Sequence, residues 1–169
     1  MLNIINNLEP FFEDCYRRIS VREYAKLIKI SPPTASSLLK SYCKQGLLNK
    51  EEERLHLFFS ANRENKDFVD LSRVYWRKKL NPILIKLKEK LVDPTVILFG
   101  SLAKAEVKEG SDVDLAIFAP EKKVIDLAKI SIKLKRVVST YWFKSLESIK
   151  NEHLKSNILN GYILIGRLR

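Results

Sequence analysis

The period of the hydrophobic pattern changes once along this chain, near residues 80–94, and that change limits the fold more than any other feature. Before it, apolar residues recur at the three- and four-residue spacing of amphipathic helices. After Asp93 and Pro94 they form short continuous runs, such as residues 96–99, that are typical of buried strands. We therefore predict a two-domain α+β chain, with a mostly helical domain over residues 1–80 and a small mixed-sheet domain over residues 81–169.

Residues that favour helix starts divide the first domain into three predicted helices. A first helix is predicted over about residues 4–18. Ser20 and Glu23 have the spacing of a capping box, in which each side chain satisfies a backbone N–H at the start of a helix. Ser31 followed by Pro32 predicts a third helix, because proline fits the first helical position.

A hairpin is predicted after the third helix. The polar run of residues 49–54 separates two short apolar segments, residues 47–48 and 55–59, and is predicted to be their turn. A long helix should follow from about Lys66 and be interrupted at Asn81 and Pro82. Three helices and then a hairpin is the element order of a winged helix-turn-helix domain.

Residues 10–62 resemble winged helix-turn-helix domains of bacterial and archaeal regulators in element order and helix caps. The resemblance implies that the helix after Ser31 enters the major groove of duplex DNA. The polar and basic face of this helix consists of Thr34, Ser37, Lys40, Ser41 and Lys44. A solvated face of a protein-interaction domain would show the same pattern, and the acidic residues 51–53 argue against deep phosphate contact.

The second domain is predicted to alternate strands and helices. The predicted strands are residues 96–99, 113–118, 137–143 and 162–165, and the predicted helices are residues 123–134 and 145–160. We read this as one small mixed sheet with helices packed against it.

The strongest chemical signal is a pair of carboxylates at a fixed distance from a Gly-Ser pair. Gly100 and Ser101 end one predicted strand, and Asp112 and Asp114 lie on the next. Residues two apart on a strand face the same side, so the two carboxylates should be neighbours. Neighbouring like charges are unfavourable without a cation, and Mg²⁺ is the usual oxygen-bound cation beside phosphates.

The Gly-Ser pair supplies the features that a phosphate group requires. Gly100 would let a ligand approach the backbone closely, and Ser101 adds a hydroxyl at the start of a short helix. Lys104, one helical turn further, could place a point charge on a phosphate, although a solvated lysine fits the position equally well.

At these residues the sequence resembles the DNA polymerase β-like nucleotidyltransferase superfamily, and more narrowly the minimal nucleotidyltransferases, over about residues 94–166. The resemblance implies that Gly100 and Ser101 bind the triphosphate of a nucleotide. It also implies that Asp112 and Asp114 hold Mg²⁺ and are catalytic.

The chain departs from the family pattern in two places. Lys104 stands where members commonly have arginine, and alanine follows it in place of glycine. Active members also carry a third carboxylate on the third strand, whereas residues 136–143 contain none. Ser139 or Thr140 would occupy that position, and Glu147 falls in the next predicted helix. Nucleotide and metal binding are therefore expected, and turnover is expected to be slow.

Two functions are compatible with this pattern. In the first, the chain is an enzyme that transfers a nucleotide from a Mg²⁺-bound triphosphate, with ATP expected, to a hydroxyl of a small molecule, an RNA end or a protein. In the second, it is a DNA-binding regulator that senses nucleotide without turnover. An interaction module that has lost both activities is the third candidate, and the candidate macromolecular partners are duplex DNA, a helical protein and a second copy of the chain.

Charge and cysteine content set the expected surroundings. The net charge of +11 divides into +5 for residues 1–80 and +6 for residues 81–169, which favours phosphate-rich partners or reflects a lysine-rich surface. Cys15 and Cys43 are predicted to be core thiols on helices, since two cysteines make no disulfide scaffold. With neither a signal peptide nor a membrane-length apolar segment evident, a cytoplasmic protein is expected.

Overall fold

The computed structural model describes residues 2–168, and its chain divides into two compact units. The first extends to Tyr75 and includes the separate segment Ala105–Glu109. The second consists of Trp76–Lys104 and the residues from Gly110 onward. The five residues 105–109, which lie in the sequence between the Gly-Ser pair and the two aspartates, thus belong to the first unit.

The first unit combines helices with a three-stranded antiparallel sheet. Its elements are α1 (Leu2–Asn7), α2 (Glu9–Glu13), β1 (Ile19–Ser20), α3 (Val21–Ile28), α4 (Pro32–Lys44), β2 (Leu48–Glu53), β3 (His56–Ala61) and most of α5 (Lys66–Lys79). The strand order is β1-β3-β2. The side chains of Phe11, Phe12, Tyr24, Phe59 and Phe68 are fully buried in this unit.

Both predicted helix starts are present, but among the described residues only the Ser20 half of the capping box is seen, and the Glu23 carboxylate contacts Arg17. The Ser20 hydroxyl accepts from the Glu23 N–H at 3.3 Å, and the Ser31 hydroxyl accepts from the Thr34 N–H at 3.3 Å. Each bond satisfies a backbone donor that has no partner within its helix.

The prediction of one helix over residues 4–18 is wrong. Two short helices replace it, because Pro10 lies in the first turn of α2 and has no N–H with which to continue α1. Helix α2 ends at Glu13, so Cys15 lies in a turn rather than on a helix. It is buried, and its N–H donates to the carbonyl of Val107 at 2.8 Å. Cys43 lies on α4, as predicted, but it is only half-buried and is not the core thiol that was expected.

The hairpin is present, but its polar run is a strand and not the predicted turn. Strand β2 pairs with β3 along its whole length, and the turn contracts to Arg54 and Leu55, whose φ angles are +48° and +65°. Most β2 side chains are exposed, and Glu51 and Glu53 both contact Arg18, at 3.2 and 2.9 Å. Backbone pairing therefore stabilises residues 49–53 of β2 without apolar side chains.

The second unit contains the mixed sheet. After the end of α5 come α6 (Asn81–Lys90), β4 (Thr95–Phe99), α7 (Ser101–Lys104), β5 (Val113–Phe118), α8 (Ala128–Leu134), β6 (Val138–Phe143), a 3-10 helix (Leu146–Ser148), α9 (Glu152–Leu159) and β7 (Tyr162–Ile165). The strand order is β6-β5-β4-β7, with β5 and β6 parallel and the other pairs antiparallel. No described helix has the length and apolarity that a membrane span requires.

Two predicted helices are shorter than expected. The predicted helix over residues 123–134 begins only at Ala128, whose N–H donates to the Asp126 carboxylate at 3.0 Å. The predicted helix over residues 145–160 is interrupted between the 3-10 helix and α9. Ile149 is buried in this interval, and Asn151 starts α9 by accepting from the Leu154 N–H at 3.0 Å.

One face of the sheet carries a compact apolar core. Its buried members are Ile97, Phe99, Ala116, Phe118, Ile149 and Ile158. Because side chains alternate along β5, Asp114 lies on this face, two residues before Ala116 and at the edge of the core.

Candidate functional site

The turn at Gly100 brings the two halves of the motif into contact. Gly100 follows β4 with a φ of +71°, a conformation that favours glycine. A Cβ atom built on it would lie 2.7 Å from the Oδ2 atom of Asp114. The backbone after β4 therefore lies directly against one of the two carboxylates, and a Cβ at this position would displace that carboxylate.

The two carboxylates have different surroundings. Asp114 is the second residue of β5 and is half-buried, whereas Asp112 is exposed and precedes the strand. The expectation that both lie on the strand is therefore correct only for Asp114. Burial raises the pKa of the Asp114 carboxyl, and the negative charge of Asp112 raises it further. This effect of Asp112 shows that the two charges repel one another, a conflict that a bound cation would relieve.

Lys104 ends α7, and its ammonium group donates to the Oδ1 atom of Asn157 on α9 at 2.9 Å. Both side chains are exposed, so this bond competes with water and leaves the lysine accessible. Ala105 follows with a φ of +54°, so the left-handed backbone conformation that suits glycine is retained by an alanine.

The parallel pairing of β5 and β6 identifies the residue in place of a third acid. Ser139 is the register partner of Asp114, so both side chains lie on the same face. Thr140 pairs with Leu115 and lies on the other face. Among residues 2–168 there is no group of three or more His, Cys, Asp or Glu side chains that could hold a metal ion.

Glu147 does not complete the site. It lies in the 3-10 helix, beyond the last residue of β6. Ser139 is near the first residue of this strand, and about 13 Å of strand separates it from the last. A hydrogen bond from Ser145 lowers the pKa of the exposed Glu147 carboxyl, and Lys155 contributes in the same direction. Its carboxylate is thus held by its own helix start.

Arg136 is a residue of this site that sequence reasoning missed. Its side chain is buried, and its Nη1 atom donates to the carbonyl of Ser111 at 2.7 Å. Its guanidinium also lies over the Trp76 ring, 5.1 Å from the centroid. Arg136 lies two residues before β6, and no sequence pattern marks it, because its partner is a backbone carbonyl.

The predicted DNA-binding side chains share one property in the structure. Thr34, Ser37, Lys40, Ser41 and Lys44 are all exposed on α4. Buried residues of the same helix, Ala35, Leu39 and Tyr42, hold it on the first unit. The exposed face is therefore available to a ligand.

A cavity in the second unit lies at the other end of the sheet. It has a volume of about 690 Å³, and its lining includes Thr95, Phe118, Lys144 and Arg167. Phe118 ends β5, four residues and about 13 Å from Asp114. This cavity is therefore not the site formed by Gly100 and the two carboxylates.

The donor set near Gly100 fits one magnesium ion better than two. Mg²⁺ is commonly bound by one or two protein carboxylates together with substrate phosphates and water. Asp112 and Asp114 supply such a pair, and the space beside Asp114 that a Cβ would fill is kept open by Gly100. A second ion would have only the Ser139 hydroxyl where a third carboxylate would be needed.

Comparisons with known proteins show the family to which the chain belongs. The chain is 33% identical to a putative protein adenylyltransferase of Methanocaldococcus jannaschii over 89 residues, which are 50% of this chain and 87% of the relative. No solved structure shows significant similarity to the chain. Residues 78–168, more than half of the sequence, match the family described as polymerase beta, nucleotidyltransferase, and the chain belongs to that family.

Proposed function

We propose that this protein transfers a nucleoside monophosphate from a Mg²⁺-bound nucleoside triphosphate, with ATP as the expected donor, to an acceptor hydroxyl. The observation that carries this proposal is the close approach of Gly100 to the Asp114 carboxylate. A loop suited to phosphate and a carboxylate suited to Mg²⁺ are thereby neighbours. The family membership supports the reaction class.

Each site residue has a distinct role in this proposal. Asp112 and Asp114 would hold Mg²⁺, which when bound neutralises charge on the phosphate oxygens and the leaving pyrophosphate. Gly100 lets the triphosphate approach the backbone, and the Ser101 hydroxyl donates to it. Lys104 would exchange Asn157 for a phosphate oxygen, because an exposed lysine side chain can change partners at little cost.

The acceptor in this proposal is a hydroxyl on a protein. The name of the relative, putative protein adenylyltransferase, supports this class of acceptor. The acceptor must lose a proton while its oxygen attacks the α-phosphorus and pyrophosphate leaves. Ser139 is a poor base for this step, so turnover depends on a group that the acceptor brings with it. The reaction would take place in the cytoplasm, where ATP is present.

A nucleotide-sensing DNA-binding regulator is the second candidate. Two observations favour it: the exposed face of α4 within a helix and sheet order typical of winged helices, and a serine in place of the third acid. In this interpretation residues 1–80 form the DNA-binding module, and residues 81–169 bind nucleotide without turnover.

Nucleotide transfer separates the two candidates. The purified protein is incubated with Mg²⁺ and ATP labelled at the α-phosphate, and both pyrophosphate release and label on protein are measured. The transferase proposal predicts slow release that is lost in Asp112→Asn and Asp114→Asn, with label on an added or endogenous protein acceptor. Tight Mg²⁺-dependent ATP binding without any pyrophosphate release would support the regulator.

A further inference from the structure

We infer that Arg136 is a positioning residue for the two carboxylates at the nucleotide site. The inference rests on the proposed function, because it assigns Arg136 to the binding of Mg²⁺ and triphosphate. In this inference Arg136 does not contact the Mg²⁺ or the triphosphate itself. It acts on Asp112 through the backbone that carries this residue.

The burial of Arg136 requires an explanation. Its relative exposure is 8%, and a buried guanidinium is costly unless its N–H groups have acceptors. One acceptor is the Ser111 carbonyl, at 2.7 Å from Nη1. This carbonyl belongs to the peptide unit whose nitrogen is that of Asp112. The charge-assisted bond therefore fixes the peptide plane at the base of the exposed carboxylate.

The guanidinium is itself held by a rigid group. The Trp76 ring is fully buried, and the Arg136 guanidinium lies 5.1 Å from its centroid. Lys79 approaches the same ring, with its Nζ atom 5.7 Å from the centroid. Two cations thus lie near one ring, and the Arg136 guanidinium also donates to the Ser111 carbonyl.

Neighbouring backbone contacts fix the rest of the segment. The Val113 N–H donates to the Val137 carbonyl at 2.8 Å, and Asp114 pairs with Ser139. Residues 111–114 are therefore docked onto residues 136–139 at consecutive positions. Asp112 lies outside the strand pairing, and the Arg136 bond to the Ser111 carbonyl holds the peptide before it.

The test compares Arg136→Met and Arg136→Lys with Lys79→Met, which removes the other cation from the same ring. ATP affinity is measured by calorimetry with and without Mg²⁺, below the melting temperature of every variant. We expect Arg136→Met to weaken Mg²⁺-dependent binding by about 10- to 100-fold, the range typical of groups that orient metal ligands. The affinity of Arg136→Lys should lie between those of Arg136→Met and the unmodified protein, because lysine keeps the charge but lacks the planar guanidinium group. Lys79→Met should stay within about twofold of the unmodified protein.

Amide hydrogen exchange without ligand provides an independent reading. Exchange at residues 112 and 113 should accelerate in Arg136→Met and stay unchanged in Lys79→Met. If Arg136→Met does not fold, the same two measurements on Arg136→Lys decide the question. Unchanged affinity and unchanged exchange in a folded Arg136 variant would overturn the inference. A failure of the unmodified protein to bind ATP with Mg²⁺ would instead refute the proposed function, and exchange alone would then decide whether Arg136 orders the segment.

Discussion

Asp114 is subject to two opposing requirements. Binding a cation requires its charged form, yet burial and the neighbouring charge of Asp112 raise the pKa of its carboxyl in the folded protein. The folded state therefore binds this proton more tightly than the unfolded state. The contribution of Asp114 to stability is fully present at low pH and is lost as the pH rises through the folded pKa.

Replacing this carboxylate should therefore stabilise the protein in the absence of ligand. We expect Asp114→Asn to raise the melting temperature at pH 7. The gain should shrink below about pH 4, where the carboxyl is protonated in both states. Thermal unfolding across this pH range measures the effect, with the exposed Glu121→Gln as the control. A melting temperature at pH 7 that is unchanged or lower in Asp114→Asn would contradict the electrostatic account.

The role of Gly100 can be separated from simple backbone strain. Gly110 has a similar φ, +80° against +71°, but a Cβ built on it would have nothing within 4 Å. Alanine at either position should cost about 1–2 kcal/mol of stability. Only Gly100→Ala should also weaken Mg²⁺-dependent ATP binding, by about tenfold or more, equivalent to about 1.4 kcal/mol.

Calorimetry on both glycine variants checks this prediction, and equal losses of affinity would mean that the loop after β4 does not hold the triphosphate. Gly161 is not a suitable control. A Cβ there would lie 2.6 Å from the carbonyl oxygen of Leu98, so its substitution would disturb the sheet itself.

Ser139 allows a gain-of-function test. A carboxylate at this position would lie beside Asp114, so Ser139→Asp should raise the rate of pyrophosphate release, within the range of about 10²–10⁴-fold typical of general-base catalysis. Thr140→Asp faces the other side of the sheet and should give no increase. A steady-state assay with ATP and an acceptor compares the two. Equal rates in Ser139→Asp and the unmodified protein would show that a missing acid does not limit turnover.

At the level of elements, the sequence predicts best those helices and strands that are stabilised by interactions between residues close in the chain. Strand β5 has its predicted bounds, because residues 115–118 form a short continuous apolar run of the kind typical of buried strands. The starts of α3 and α4 were predicted because a serine hydroxyl caps each helix within three residues. The extension of β2 over residues 49–53 was not predicted, since these polar residues become a strand only through pairing with β3.

The same distinction applies to the candidate site. The spacing between Gly100 and Asp114 can be recognised in the sequence, and the structure places the two residues in contact. Arg136 could not be recognised, because it bonds to a backbone carbonyl that any residue type provides. The choice between Ser139 and Thr140 depended on the β5–β6 register, which the sequence of one strand does not determine.

The exposed face of α4 is the predicted DNA-binding surface. We expect duplex DNA to bind the full chain weakly and with strong salt dependence. Replacing Lys40 and Lys44 with alanine should reduce the slope of log affinity against log salt by about 2, one unit for each phosphate that a lysine no longer neutralises. Fluorescence anisotropy with a labelled duplex measures this slope. The exposed pair Lys122 and Lys123, replaced in the same way, serves as the control. Equal effects of the two double variants would point to non-specific charge rather than to α4.

At the level of the whole molecule, the family motif is not confined to one unit. The segment Ala105–Glu109, between the Gly-Ser pair and the carboxylates, belongs to the first unit. Val107 is fully buried and accepts from the Cys15 N–H, and Lys108 lies 4.8 Å from the centre of the Tyr16 ring. The segment between the two halves of the motif is therefore held by contacts within the first unit.

Calorimetry of ATP binding tests the central claim most directly. The unmodified protein and the double variant Asp112→Asn, Asp114→Asn are titrated with ATP in the presence and absence of Mg²⁺, after circular dichroism shows that both are folded. We predict binding by the unmodified protein that requires Mg²⁺, and none by the double variant, because two amides cannot supply the charge that holds the cation beside the triphosphate. Mg²⁺-dependent binding of equal affinity in the two proteins would contradict the assignment of the site.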